Sequence, residues 1–251
     1  MRAARIVPLT LIAVMAIAPV SSHAQITVLT SGGFSAAYQR LVPAFEKRTG
    51  IAITTLGGAS QGSAPNTIPS QLRRGVAADV VILSKEGLGD LVADGRILAG
   101  SAMDLAQTPI GVAVRSGAPR PDIRTVEGFK QMLVRAQSIE LVSTSGIYFK
   151  EKVFPELGIP QISAKVKPLS ISDLTDGKVE IAIRPISELV NVPGVDLVGP
   201  IPREIQNVMV FSAAIVTGSK QTDAAQRLIA FLASEDAKPA ILQSGMEPVA
   251  R

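Results

Sequence analysis

The chain has no cysteine, no tryptophan and one histidine, His23, close to its N-terminus. Without cysteine there is no disulfide, no thiolate nucleophile and no zinc–sulfur site. Past His23 the commonest general base and commonest metal ligand is missing as well. That excludes Ser–His hydrolase chemistry and histidine-built zinc centres, and no metal or cofactor is called for. Aromatic residues make up 4% of the chain and include two tyrosines, so platforms for stacking bases are few. No run of Lys and Arg exceeds two residues, so the formal charge of +4 does not amount to a nucleic-acid-binding stripe.

The N-terminus reads as an export signal. Arg2 and Arg5 precede an apolar run from Ile6 to Val20, and Ser22-His23-Ala24 offers a small-x-small cleavage site. Pro8, Thr10 and Pro19 interrupt that run, which is shorter than the roughly 20 apolar residues of a membrane span. No cysteine follows it, so no lipoprotein anchor is expected. The reading is a signal peptide over 1–24, cleaved near Ala24, with export to the bacterial periplasm. Its removal takes two arginines and His23 and lowers the formal charge from +4 to +2.

What remains is long enough for one large domain or two lobes. Ile26 to Leu29 reads as a buried strand ending at Thr30-Ser31-Gly32-Gly33. Phe34, Ala37, Tyr38, Leu41, Val42 and Phe45 then share a helical face that stops at Gly50. A second strand (51–56), a Gly/Ser-rich loop (57–70), a short helix ending near Gly75, a third strand (80–83) and a further helix stopped by Gly95 follow. This alternation predicts an α/β fold with mostly parallel sheets covered by helices. The second half repeats the scheme, with strands near 109–115, 139–142 and 179–183, and helices near 125–136, 147–157 and 172–176. The C-terminal part is a β-rich run (208–216) followed by helical spacing in Ala224, Ala225, Leu228, Ile229, Phe231 and Leu232.

Ligands in open α/β sheets sit beyond the carboxyl ends of strands, at helix N-termini. Two strand–turn–helix junctions carry small residues there: Thr30-Ser31-Gly32-Gly33 and Ser143-Thr144-Ser145-Gly146. Taken singly, each serine is an ordinary helix N-cap; taken together, with the loop GGASQGS, they suggest an anion cleft. Arg184 ends the apolar strand Ile181-Ala182-Ile183. It is either an anion anchor or half of a surface salt bridge to Glu188.

The segments ITVLTSGGFSAAYQRLVPAFEKRTGIAIT, LRRGVAADVVILS, GIYFKEKVFPELGI and GKVEIAIRPISEL, with the C-terminal strand–helix block, resemble the periplasmic molybdate-binding protein family of ABC-transporter solute-binding proteins. Aconitate isomerase resembles the same family. The resemblance covers nearly all of residues 25–249. It implies a two-lobed type II periplasmic binding protein fold: 25–107 as lobe 1, 108–211 as lobe 2, and 212–251 as the return to lobe 1, with two crossing strands and ligand trapped by hinge closure. The ligand-binding residues that the resemblance, the small-residue junctions and the strand ends together point to are Ser31, Gly32, Gly33, Ser60, Ser84, Lys85, Ser145, Gly146, Ile147 and Arg184. The family's first-turn serine falls on Gly33, and its oxyanion-binding tyrosine falls on Pro185. Both departures weaken molybdate as ligand, whereas a guanidinium suits a carboxylate.

Two functions remain open at this stage. One is a monomeric receptor that hands a di- or tricarboxylate to an inner-membrane ABC permease. The other is an aconitate isomerase-like enzyme, with Tyr148 or Lys150 as weak candidates for the base; a molybdate or tungstate receptor ranks below both.

Overall fold

The computed structural model describes residues 24–141, 143–168 and 170–249. The leader read over 1–24 lies outside these residues except for Ala24, as do Val142, at the end of a predicted strand, and Leu169.

Eleven strands among the described residues form two sheets. In chain order they are β1 (Gln25–Thr30), β2 (Ala52–Gly57), β3 (Val80–Ser84), β4 (Met103–Thr108), β5 (Ile110–Arg115), β6 (Ile139–Glu140), β7 (Val166–Lys167), β8 (Ile181–Pro185), β9 (Val195–Pro200), β10 (Met209–Ile215) and β11 (Glu247–Pro248). The first sheet has the order β11-β4-β10-β3-β1-β2 and the second β7-β6-β8-β5-β9. The chain therefore makes the first lobe up to β4, crosses at Pro109, builds the second lobe from β5 to β9, and returns before Met209.

The sheets are mixed rather than mostly parallel. β1 runs parallel to β2 and β3, and β6 parallel to β7 and β8, as the strand–helix alternation predicts. The strands that enter or leave a crossing reverse direction: β10 is antiparallel to β3 and β4, and β5 to β8 and β9. A chain that leaves a sheet and returns from its neighbour comes back from the opposite end, which periodicity within one strand does not reveal.

Burial follows the apolar pattern. All five residues of β3 are buried, as a strand covered on both faces should be. The helix Gly32–Thr49 buries Phe34, Ala37, Tyr38, Leu41 and Phe45 at three- and four-residue spacing. It ends at Gly50, whose φ of 70° lets its N–H reach the Glu46 carbonyl. One continuous core joins Phe34 and Phe45 of the first lobe to Phe129 and Phe149 of the second.

The helix predicted over 147–157 begins at Ser143 and widens into a π-helical stretch at Phe149–Val153. Pro155 has no N–H to offer the preceding turn, which accounts for the loosened winding just before it. β9 was not predicted; Pro193, Gly194, Gly199 and Pro200 disguise it as a loop.

The crossings are tied by one side chain. Gln206 Oε1 accepts the Ile110 N–H at 2.8 Å and the Asn207 N–H at 3.1 Å. Its Nε2 donates to the Ile110 carbonyl at 3.0 Å and the Ile201 carbonyl at 3.3 Å. Both strands that bridge the lobes are thereby held to each other.

Candidate functional site

The carboxyl ends of β1, β3, β6 and β8 converge on the space between the lobes. From the first lobe, β1 delivers Ser31 to the start of the helix Gly32–Thr49. Ser31 has extended backbone angles suited to an N-cap, yet its hydroxyl makes no capping bond. The residue is 3% exposed, and its hydroxyl has no hydrogen-bond partner among the described residues. The N-cap account therefore fails at this junction, and a buried, unsatisfied hydroxyl calls for a ligand atom or water. Ser60, in the loop after β2, accepts the Ser84 N–H at 3.0 Å.

From the second lobe comes the turn after β6. Ser143 has φ of 56°, a left-handed conformation uncommon outside glycine. Its Oγ accepts the Gln61 N–H of the opposite lobe at 3.2 Å. Thr144 Oγ1 lies 2.8 Å from Ser84 Oγ, also across the lobes. These contacts show the two lobes closed on each other.

β8 supplies the charged part. Glu140 on β6 lies opposite Ala182 of β8, so Arg184, two residues on, faces the same side. Arg184 donates from Nε and Nη2 to the two Glu140 oxygens at 2.9 and 2.6 Å, and from Nη1 to Glu188 Oε2 at 2.7 Å. Glu140 is fully buried, and its burial pushes the carboxyl up from the usual glutamate range against the pull of Arg184. Burial alone would pull Arg184 down, but the hydrogen bonds and charges of Glu140 and Glu188 raise it on balance. The surface salt bridge to Glu188 weighed from the sequence is thus one arm of a buried network, and the guanidinium fork is filled by Glu140.

Ser31, Gly32, Ser60, Ser143, Thr144 and Ser145 line a cavity of about 160 Å³, together with Arg184 and Glu188. Met209 and Phe211 of the returning strand also line it. An adjoining hollow of about 800 Å³ shares Ser143 and Arg184 and adds Gly146, Ile147 and Lys150. The inner cavity is below the roughly 300–1,000 Å³ of a drug-sized pocket and suits part of a small anion.

Of the residues the sequence pointed to, Ser31, Gly32, Ser60, Ser145 and Arg184 meet in the inner cavity, and Gly146, Ile147 and Lys150 in the outer hollow. The others do not. Ser84 is fully buried and lines neither space; its hydroxyl accepts the Gly87 N–H and meets Thr144. Lys85 turns outward, with a 61% exposed side chain 2.6 Å from Asp104. Tyr148 donates its hydroxyl to the Ile205 carbonyl at 3.0 Å and packs edge-on against Phe149. Glu140 and the role of Glu188 escaped the sequence reading, although a glutamate inside the apolar run Ile139 to Leu141 was a signal of a buried partner.

Gly33 explains one departure from the serine pattern. A Cβ there would fall 1.8 Å from the Phe211 ring, so the ring fills the space a serine would need. Gly33→Ser is expected to lower stability by about 1–3 kcal/mol through overpacking. Combining it with Phe211→Ala should show strong coupling in urea melts; additive losses would mean that the ring does not occupy that space.

A profile described as bacterial extracellular solute-binding protein matches residues 26–247. An aconitate isomerase from a Pseudomonas species is 38% identical over 230 residues, covering 89% of this chain and 88% of that protein. Among solved structures, the periplasmic molybdate-binding protein of Azotobacter vinelandii superposes with a TM-score of 0.70 at 17% identity, covering 90% of this chain and 99% of that one. The sulfate-binding protein SubI from Mycobacterium tuberculosis H37Rv gives 0.69 at 20% identity, covering 90% and 88%. At such identities the two structures establish the two-lobed fold alone.

Proposed function

This chain belongs to the family of bacterial extracellular solute-binding proteins, and from that premise we propose that it is an isomerase of aconitate, interconverting the cis and trans forms in the interlobe cleft. The observation that carries this reading is the pair Arg184–Glu188, held from behind by the buried Glu140, in a cavity otherwise lined by hydroxyls and apolar groups. A cleft that only traps an oxyanion works with neutral donors, and a carboxylate in it opposes binding. Moving a double bond by proton transfer, by contrast, needs a proton acceptor beside an acidic carbon. The aconitate isomerase relative supports the same substrate.

In this reading Ser31 and the N-terminal turn of the helix Gly32–Thr49 receive one carboxylate of the substrate, where N–H groups and the helix dipole favour negative charge. Ser60, Ser143, Thr144 and Ser145 orient the rest, and the outer hollow with Lys150 takes the remaining charge. Closure of the lobes excludes water from the reacting carbon. The protein works in the periplasm as a monomer, with the leader over 1–24 removed near Ala24.

A second reading is a carboxylate receptor for an inner-membrane ABC permease; the interlobe hydrogen bonds from Thr144 and Ser143 favour a clamp whatever its chemistry. An NMR time course of the mature protein with cis-aconitate, trans-aconitate and citrate, alongside thermal-shift scans that include molybdate, separates the two. Conversion of one aconitate isomer into the other is the expected result. A thermal shift with carboxylates and no turnover would make it a receptor, and a shift with molybdate alone would overturn both readings.

A further inference from the structure

We propose, resting on the aconitate reading above, that Glu188 is the general base of the isomerisation, positioned by Arg184 and Glu140 and brought by lobe closure against the N-terminal turn of the helix Gly32–Thr49. Elimination and geometry agree on this residue. The chain beyond His23 has neither histidine nor cysteine. Tyr148 is bonded to the Ile205 carbonyl, and Lys85 is turned away to Asp104. Lys150 is exposed on the outer hollow. Glu188 is the one carboxylate among the described residues lining the inner cavity.

Its placement fits proton transfer. Arg184 Nη1 holds Oε2 at 2.7 Å, while Oε1 accepts no hydrogen bond among the described residues. The side chain is 20% exposed, so it is sheltered without being sealed off. The carboxylate crosses from the second lobe to lie 3.0–3.1 Å from where a Cβ on Gly32 would stand. A side chain at position 32 would press on it. Beside Gly32 is the unpartnered, buried Ser31 hydroxyl, a donor left free for a ligand oxygen. A proton acceptor and a site for negative charge therefore meet at one point only when the lobes are together.

Glu140 completes the arrangement. It occupies the Nε and Nη2 edge of Arg184, so the arginine cannot rotate away and is not available as a bidentate anchor for substrate. Arg184 and Glu140 are positioning residues; Glu188 is the group that meets the substrate. The arrangement follows the logic of a catalytic group oriented by a second residue that a third one holds.

The step balances without a cofactor. Aconitate carries a methylene next to its C=C bond. Glu188 takes one methylene proton, the C–H bond breaks, and its electron pair becomes part of a C=C bond to the central carbon. The electron pair of the old double bond moves to the former vinyl carbon, where the Glu188 carboxyl, able to exchange its proton with solvent through a 20% exposed side chain, delivers a proton and a C–H bond forms. Glu188 is again a carboxylate, and the product is again aconitate, cis or trans according to how the arm lies. As the proton leaves, negative charge spreads onto the adjoining carboxylate, which Ser31 and the helix N-terminus are placed to stabilise.

The test uses the mature chain in D₂O, with ¹H NMR following both isomerisation and deuterium entry into the methylene, and thermal shift reporting binding of trans-aconitate. Glu188→Gln is expected to lose at least about 100-fold in both rates, within the range for a general base. Its aconitate-induced thermal shift should be kept or enlarged, because a negative charge has left the cavity. Glu188→Asp should recover part of the lost rate. A Glu188→Gln protein that folds and keeps more than a tenth of the wild-type rate would overturn the assignment. So would a well-folded Glu188→Asp protein no faster than Glu188→Gln, which also decides the matter should the glutamine variant fold poorly. Absence of turnover by the wild-type protein would instead defeat the aconitate reading itself.

Discussion

Arg184→Met is expected to lower folding stability by about 3–5 kcal/mol at neutral pH, the usual consequence of leaving a buried charge without its partner. Glu140 has no solvent exposure, and Arg184 supplies two hydrogen bonds to it at 2.6 and 2.9 Å. Without the guanidinium, burial and the like charges of Glu188 and Asp173 all push the carboxyl upward, and it is already raised in the intact protein. The sign of the pH dependence follows. A glutamate with a raised folded value favours the folded state in its protonated form, at low pH, and loses that contribution as pH rises through the folded value. The penalty of Arg184→Met should therefore shrink as pH falls toward about 4.3, the ordinary value for glutamate. Glu140→Leu in the same background removes the stranded charge and should restore a large part of the stability. Urea melts of the two single variants and the double variant at two pH values measure this. Additivity within about 0.5 kcal/mol would mean that the two residues are not coupled in solution. Because Arg184 also holds Glu188, the single variant should lose turnover even where it remains folded.

Gln206→Met is expected to cost about 1–3 kcal/mol, the price of a buried backbone donor left without an acceptor. Methionine keeps the volume and removes the amide. The Ile110 N–H then loses its acceptor at 2.8 Å, in a residue with no solvent exposure. The Ile110 carbonyl still receives the Ile201 N–H at 3.1 Å, which limits the loss. Since Gln206 ties the two crossings together, the variant should also hold the closed form less firmly and bind ligand more weakly. Thermal melting and small-angle scattering with and without aconitate test both effects. A variant with wild-type melting and compaction would show that water takes over the bonds of the amide.

Legibility differed sharply between the fold and the site. The helix Gly32–Thr49 was readable because Phe34, Ala37, Tyr38, Leu41 and Phe45 repeat at helical spacing and Gly50 stops them. β3 was readable as an unbroken apolar run. β9 was not, because its prolines and glycines carry turn chemistry while pairing with β5 decides its conformation. Within the site, Ser31, Gly32, Ser60 and Ser145 could be found from small residues at strand ends. Ser84 and Lys85 also stand at a strand end, yet one became a tie between the lobes and the other a surface pair with Asp104. A strand end says that a residue is near the cleft; which way its side chain points depends on what packs against it.

By itself the sequence determined the absence of cysteine and, beyond His23, of histidine chemistry. It also determined most of the strand–helix alternation, though not β9, and the places where small residues meet helix starts, since each depends on residue type and on spacing within one element. Only the tertiary structure decided that Glu140 faces Arg184 across 44 positions of chain, that Phe211 fills the space beside Gly33, and that Glu188 reaches the opposite lobe at Gly32. Those pairings are set by strand register and by lobe closure, and neither leaves a periodic trace in the residues that make them.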